Sequence, residues 1–163
     1  MRRDLLAYII KLRSSTKQPF EVKVGGSSMM PVILPTDTAV VLKSEDYTIG
    51  DVLLFLYEDN HIIIHRLLKI LNGMYYCKGD NSFRIEIIQH SDILGKVLAI
   101  KRQNTILSLP PMPIEYLDMS YSINQEFIKN GYDTALTKKT PVYLKYQEEY
   151  LNSDVTFTSA RML

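Results

Sequence analysis

Between Phe20 and Arg102 the hydrophobic positions fall in short runs rich in Val, Ile, Leu and Tyr, each closed by turn-forming residues. The runs Phe20–Val24, Thr38–Leu42, Val52–Tyr57, Ile62–Leu71, Met74–Cys77 and Ile93–Ile100 are predicted as strands. Gly25-Gly26, Pro35-Thr36-Asp37, Gly50-Asp51, Glu58-Asp59-Asn60, Asn72-Gly73 and Gly79-Asp80-Asn81 divide them. Asn72-Gly73 is the clearest hairpin signal, because both residues tolerate the positive φ of a type I′ turn. Short, closely spaced strands with no helix between them predict a mainly β fold, a coiled sheet or partly open barrel. Before the first strand, Leu5, Leu6, Ile9, Ile10 and Leu12 recur at helical spacing, which predicts a short amphipathic helix docked on the domain. After Leu109-Pro110-Pro111-Met112-Pro113 the pattern changes again, and helices are predicted over Ile114–Lys129 and Pro141–Leu151, with Gly131 stopping the first. The chain therefore divides into an N-terminal helix (1–19), a β domain (20–109) and a C-terminal helical extension (110–163) that carries no chemical motif.

Composition narrows the class without choosing a function. At 163 residues, 46% hydrophobic and 23% charged, the chain is an ordinary single folded domain. A net charge of +1 with scattered Lys and Arg gives no footprint for nucleic acid. The apolar run after Met1-Arg2-Arg3 is interrupted by Asp4 and closed by Lys11 and Arg13, too short for a secretory core or a membrane span. Docking of this helix on the domain is the expected arrangement, with weak interfacial membrane attachment as the alternative. Cys77 is the single cysteine, so no internal disulfide can form and a reducing, cytoplasmic setting is expected. His61, His65 and His90 show no metal-ligand spacing, and neither a metal nor another cofactor is expected.

The candidate chemistry begins at Gly26-Ser27-Ser28-Met29-Met30-Pro31, directly after a predicted strand. A serine nucleophile needs exposure on a turn, a neighbouring base and donors for the oxyanion. Gly25-Gly26 permits a sharp turn and Pro31 fixes the exit, leaving the backbone amides of Ser27 and Ser28 free to face a substrate carbonyl. Met29 and Met30 offer adaptable apolar surface for substrate beside the serine.

Gly26–Pro31 resembles the nucleophile box of the signal peptidase I and LexA-like serine peptidases. Further boxes follow in that family's order: Gly50-Asp51-Val52-Leu53-Leu54-Phe55, Ile64-His65-Arg66-Leu67-Leu68, Lys78-Gly79-Asp80-Asn81 and Leu94-Gly95-Lys96-Val97. The resemblance covers about Lys23 to Ile100 and implies the coiled β-sheet of the LexA–signal peptidase type. At the base position, where part of the family places lysine, this chain has His65 and so is similar to the Ser–His branch. Imidazole accepts a proton at neutral pH with little tuning, whereas lysine must first be desolvated.

The resemblance implies Ser28 as nucleophile, His65 as general base and the Ser27 and Ser28 amides as oxyanion hole, with Gly26 where some members carry a hydroxyl donor. Asp80 reads in two ways, as the carboxylate that orients His65 or as a turn residue, with Asn81 capping the same turn. Arg66 alternates to the opposite strand face and is expected in a structural ion pair. Lys78 and Lys69 are the bases to suspect should a lysine act instead. Thr36-Asp37 stands where the family usually has Gly-Asp, a change of turn rather than of chemistry.

The expected activity is that of a serine endopeptidase cutting a leader or precursor peptide in trans, the peptide lying extended beside the strand before Ser28. Self-cleavage is not expected, since the 27 residues before Ser28 hold no Ala-Gly or Cys-Gly and no DNA-reading helix pair. The competing class is a β domain of the same descent that binds a peptide or partner without cutting it.

Overall fold

The computed structural model describes residues 2–109 and 111–151. Helix α1 (Arg3–Ser15) leads into β1 (Phe20–Lys23), β2 (Thr38–Leu42), β3 (Val52–Tyr57), β4 (His61–Leu71), β5 (Met74–Lys78) and β6 (Ile85–Ile88). Strands β7 (Ile93–Arg102) and β8 (Thr105–Ser108) follow, then helices α2 (Ile114–Asn130) and α3 (Tyr132–Leu151). The eight strands form one curled, half-barrel sheet in the order β1-β2-β7-β3-β4-β5-β6, with β8 paired to β7. The mainly β fold predicted from the pattern is therefore the observed one.

Local chemistry explains most of these elements. The β4–β5 hairpin turns at Asn72 and Gly73, whose φ angles of 51° and 76° match the type I′ turn, and Leu71 faces Met74 across it. Strand β3 is apolar on successive residues because both of its faces are covered. Val52 and Leu54 join one core with Met29, Val32, Ile33 and Leu68, whereas Leu53 and Phe55 join a second with Leu67, Cys77 and Ile88.

Four expectations are corrected. Strands β6 and β8 were not predicted; each is four residues long, β6 carries Glu86 within its Ile run, and β8 only closes a hairpin on β7. Helix α3 starts at Tyr132 rather than Pro141, which lies inside it. A mid-helix proline costs about 3 kcal/mol, and here buried Ala135 on one side and Tyr146 on the other anchor both halves, so packing overrides propensity. Helix α1 docks through Ala7, Ile10 and Ser14, with the Ser14 hydroxyl donating to the Leu94 carbonyl at 2.7 Å. Leu5, Leu6 and Leu12, expected on the docking face, are exposed; the small residues Ala7 and Ser14 admit the closer approach.

The C-terminal helices are integral to the packing. Tyr116 and Leu117 of α2 and Tyr146 of α3 belong to the same core as Val32 and Leu54. Among the described residues no helix is long and apolar enough to cross a membrane.

Candidate active site

Strand β4 sends consecutive side chains to opposite faces, and the site begins there. His65, opposite Leu53 of β3, lies against the edge of the Phe55 ring. Its neighbour Arg66 points to the other face, toward the ring of Tyr116. There the buried guanidinium makes a two-pronged pair with Asp80, Nε to Oδ1 at 2.9 Å and Nη2 to Oδ2 at 2.8 Å. It also donates to the Gly50 carbonyl at 2.9 Å. The Gly-Asp, His-Arg and Lys-Gly-Asp-Asn boxes are thus tied together by one buried cation.

The nucleophile turn is anchored from below and from the side. Met29, Val32 and Ile33 are buried, and the Val32 and Ile33 amides donate to the Met29 carbonyl. From the side, the Asn81 amide donates to the Ser28 carbonyl at 2.8 Å and the Asn81 side chain to the Ser27 carbonyl at 3.2 Å. Lys139 of α3 in turn donates to the Asn81 side-chain oxygen. Asp37 fixes the exit by accepting from the Leu34 amide at 2.7 Å while pairing with Arg102, so Thr36-Asp37 builds a turn as expected.

These anchors place Ser28 Oγ 3.0 Å from His65 Nε2. On the far side of the ring, Nδ1 meets Oε1 of Glu86 in a short, largely buried contact. A carboxylate at Nδ1 holds the proton there and leaves Nε2 as the acceptor facing the serine. Glu86, not Asp80, is the carboxylate at His65 Nδ1. Asp80 is unsuited to that place because Arg66 engages both of its oxygens on the opposite face of β4. Gly79 lies close against the pair: a Cβ there would sit 2.6 Å from the Ser28 carbonyl oxygen and 2.9 Å from His65 Nε2.

The remaining candidates separate clearly. Among the described backbone hydrogen bonds, the Ser27 and Ser28 amides donate to none, as an oxyanion hole requires. Met29 lines the cleft beside Ser28 from its buried position, and Met30 follows it half-buried in the same turn.

Both lysines point elsewhere. Lys78 is fully buried and donates to Ser120 Oγ at 2.9 Å, and burial lowers its pKa to about 8. Lys69 lies over the Tyr121 ring at 3.8 Å. His61 and His90 are exposed and bond to the Glu58 and Glu45 carbonyls. The thiol of Cys77 is raised in pKa by burial and by nearby Glu86, which makes it a poor nucleophile. Among the described residues no cluster of three His, Cys, Asp or Glu is placed to hold a metal.

A cleft of about 390 Å³ runs from this pair between residues 22–26 and residues 62–65. Strand β1 pairs only with β2, and β5 joins β4 only from Arg66 onward. The curl of the sheet therefore brings two strand edges together, each with unused backbone donors and acceptors.

The carboxylate that the sequence reading missed had a detectable signal. A charged residue inside Ile85-Glu86-Ile87-Ile88 is costly to bury without a partner, so that run itself signals a pairing. Against known families, the model described as Peptidase S24-like matches residues 3–98, more than half of the chain. No curated protein matches the sequence.

Proposed function

We propose, from the premise that the chain belongs to the Peptidase S24-like family, that it is a serine endopeptidase cutting an extended leader or precursor peptide in trans. The observation that carries this reading is the continuous Ser28–His65–Glu86 relay opening into the cleft. Ser28 Oγ attacks the scissile carbonyl while its proton passes to His65 Nε2, and the carbonyl oxygen takes the negative charge before the Ser27 and Ser28 amides. Collapse breaks the C–N bond, and His65 returns the proton to the leaving amine. Water, deprotonated by His65, then releases the acyl group and restores Ser28. Glu86 fixes the tautomer and stabilises the imidazolium, keeping its own proton count throughout.

The two open strand edges favour an extended peptide, which can add backbone hydrogen bonds to either. Residues of α1 and β1 are held by packing and pairing, so the cleft is open to a peptide from another molecule. The test is incubation of the purified chain with a complex peptide library and mass-spectrometric search for new termini. The expected result is cleavage at recurrent positions that is lost in Ser28→Ala. Bound but uncut peptides, or cuts that persist in Ser28→Ala, would contradict the proposal.

A further inference from the structure

A second pocket, of about 540 Å³, opens on the other side of His65. Tyr57, Ile63, Phe83, Phe127 and Tyr132 form its apolar walls, and His65 and Glu86 also line it. Two of these walls, Phe127 and Tyr132, come from the C-terminal helices, beyond the stretch matched by the family model. Phe83 is clamped between them, stacked on Phe127 at 5.5 Å and edge-on to Tyr132 at 5.3 Å. Lys139 lies 5.1 Å from the same ring, and Arg84 lies 5.3 Å over Phe127. Side chains of both helices thus fix one loop ring beside the catalytic histidine.

Position assigns the occupant. The cleft contains both Ser28 and His65, whereas the second pocket contains His65 and Glu86 without Ser28. The leaving amine must face His65 Nε2 to receive its proton, so the released half of the substrate departs past the histidine toward this pocket. The pocket's charged groups are already engaged, Glu86 by His65 and Arg84 by the Phe127 ring. Aromatic walls of this kind favour a bulky apolar or aromatic side chain, which stacks edge-on or offset.

We infer that the C-terminal helices complete a specificity subsite for a bulky apolar side chain in the first residues after the cut bond. The inference rests on the peptidase reading. Its test uses the full chain and three product-like dipeptide amides, Phe-Ala-NH2, Ala-Ala-NH2 and Glu-Ala-NH2, titrated by NMR. Phe-Ala-NH2 should bind about tenfold more tightly than Ala-Ala-NH2, the worth of burying part of one aromatic ring. Tyr132 is 56% exposed, so Tyr132→Ala should keep the melting temperature while reducing that preference several-fold, and Tyr132→Phe should preserve it. Equal binding of the three amides, no binding of any, or an unchanged preference in Tyr132→Ala combined with Phe127→Leu would overturn the subsite. Fluorophosphonate labelling of Ser28 is scored separately. Labelling without preference sinks the subsite alone, whereas preference without labelling sinks the peptidase reading.

Discussion

The two faces of β4 carry two buried base–acid pairs one residue apart, and they are built for different ends. On the helix side, Arg66 and Asp80 are joined at both prongs, and the third guanidinium nitrogen is satisfied by Gly50. In that pair the arginine stays charged at any working pH. On the cleft side, His65 uses one nitrogen for Glu86 and the other for Ser28. Its second contact ends at an exposed turn and an open cleft. Similar burial of a carboxylate therefore holds the scaffold in one case and, on the proposed reading, orients a proton acceptor in the other; what distinguishes them is where the partner's second nitrogen leads.

Substitutions should separate the faces cleanly. The largest effect is expected for Ser28→Ala and His65→Ala, each lowering the cleavage rate by about 10⁶, Ser28→Ala at an unchanged melting temperature and His65→Ala at a lowered one, since it leaves the buried Glu86 without its partner. Glu86→Gln should cost about 10⁴ in rate, because glutamine no longer enforces the tautomer or stabilises the imidazolium. Its fold should survive, as circular dichroism and a melting curve would check. Asp80→Asn should do the reverse: leaving Arg66 uncompensated costs about 3–5 kcal/mol of stability, read by denaturant unfolding, while the fraction still folded keeps its activity. A large rate loss in folded Asp80→Asn would erase the distinction.

Lys78 sharpens the same contrast through pH. Its folded pKa of about 8 lies below the ordinary lysine value of 10.5 because burial penalises the charge. Between these values the unfolded chain binds more protons than the folded one, so stability rises with pH across that window. Denaturant midpoints should increase from pH 8 toward pH 10.5, and Lys78→Met should flatten the rise. Cleavage, by contrast, should fall on acidification, because an imidazolium cannot accept the serine proton. The smallest effect is expected for Lys139→Met, which frees Asn81 but leaves its two bonds to the nucleophile turn in place. A several-fold loss in turnover with little change in melting temperature is the expected outcome.

The parts of this arrangement that were legible in the sequence are those set by local chemistry. The Asn72-Gly73 hairpin, the strand β4 alternation that separates His65 from Arg66, and the glycine-flanked Ser28 turn all follow from single-residue preferences and period-two geometry. The carboxylate that meets His65 was not legible because its identity depends on register. Leu67 pairs with Cys77, and Cys77 with Glu86, so the reach of Glu86 to His65 depends on two strand pairings, across the intervening β5, and on the loop at 79–84. Sequence alone does not number that loop, and Asp80, in a turn box, reads either as the partner of His65 or as a turn residue. The docking face of α1 was misread for a related reason. Apolar residues surround that helix, and the docking face took Ile10 with the small residues Ala7 and Ser14, which allow close approach, rather than Leu5, Leu6 and Leu12.

The most direct test of the central claim, that Ser28 is activated by His65 held by Glu86, is fluorophosphonate labelling followed by peptide mapping. Wild-type protein should carry the adduct on Ser28, with labelling strongly slowed in His65→Ala and Glu86→Gln and retained in folded Asp80→Asn. An adduct on another serine, or equal labelling rates in wild type and His65→Ala, would contradict the account.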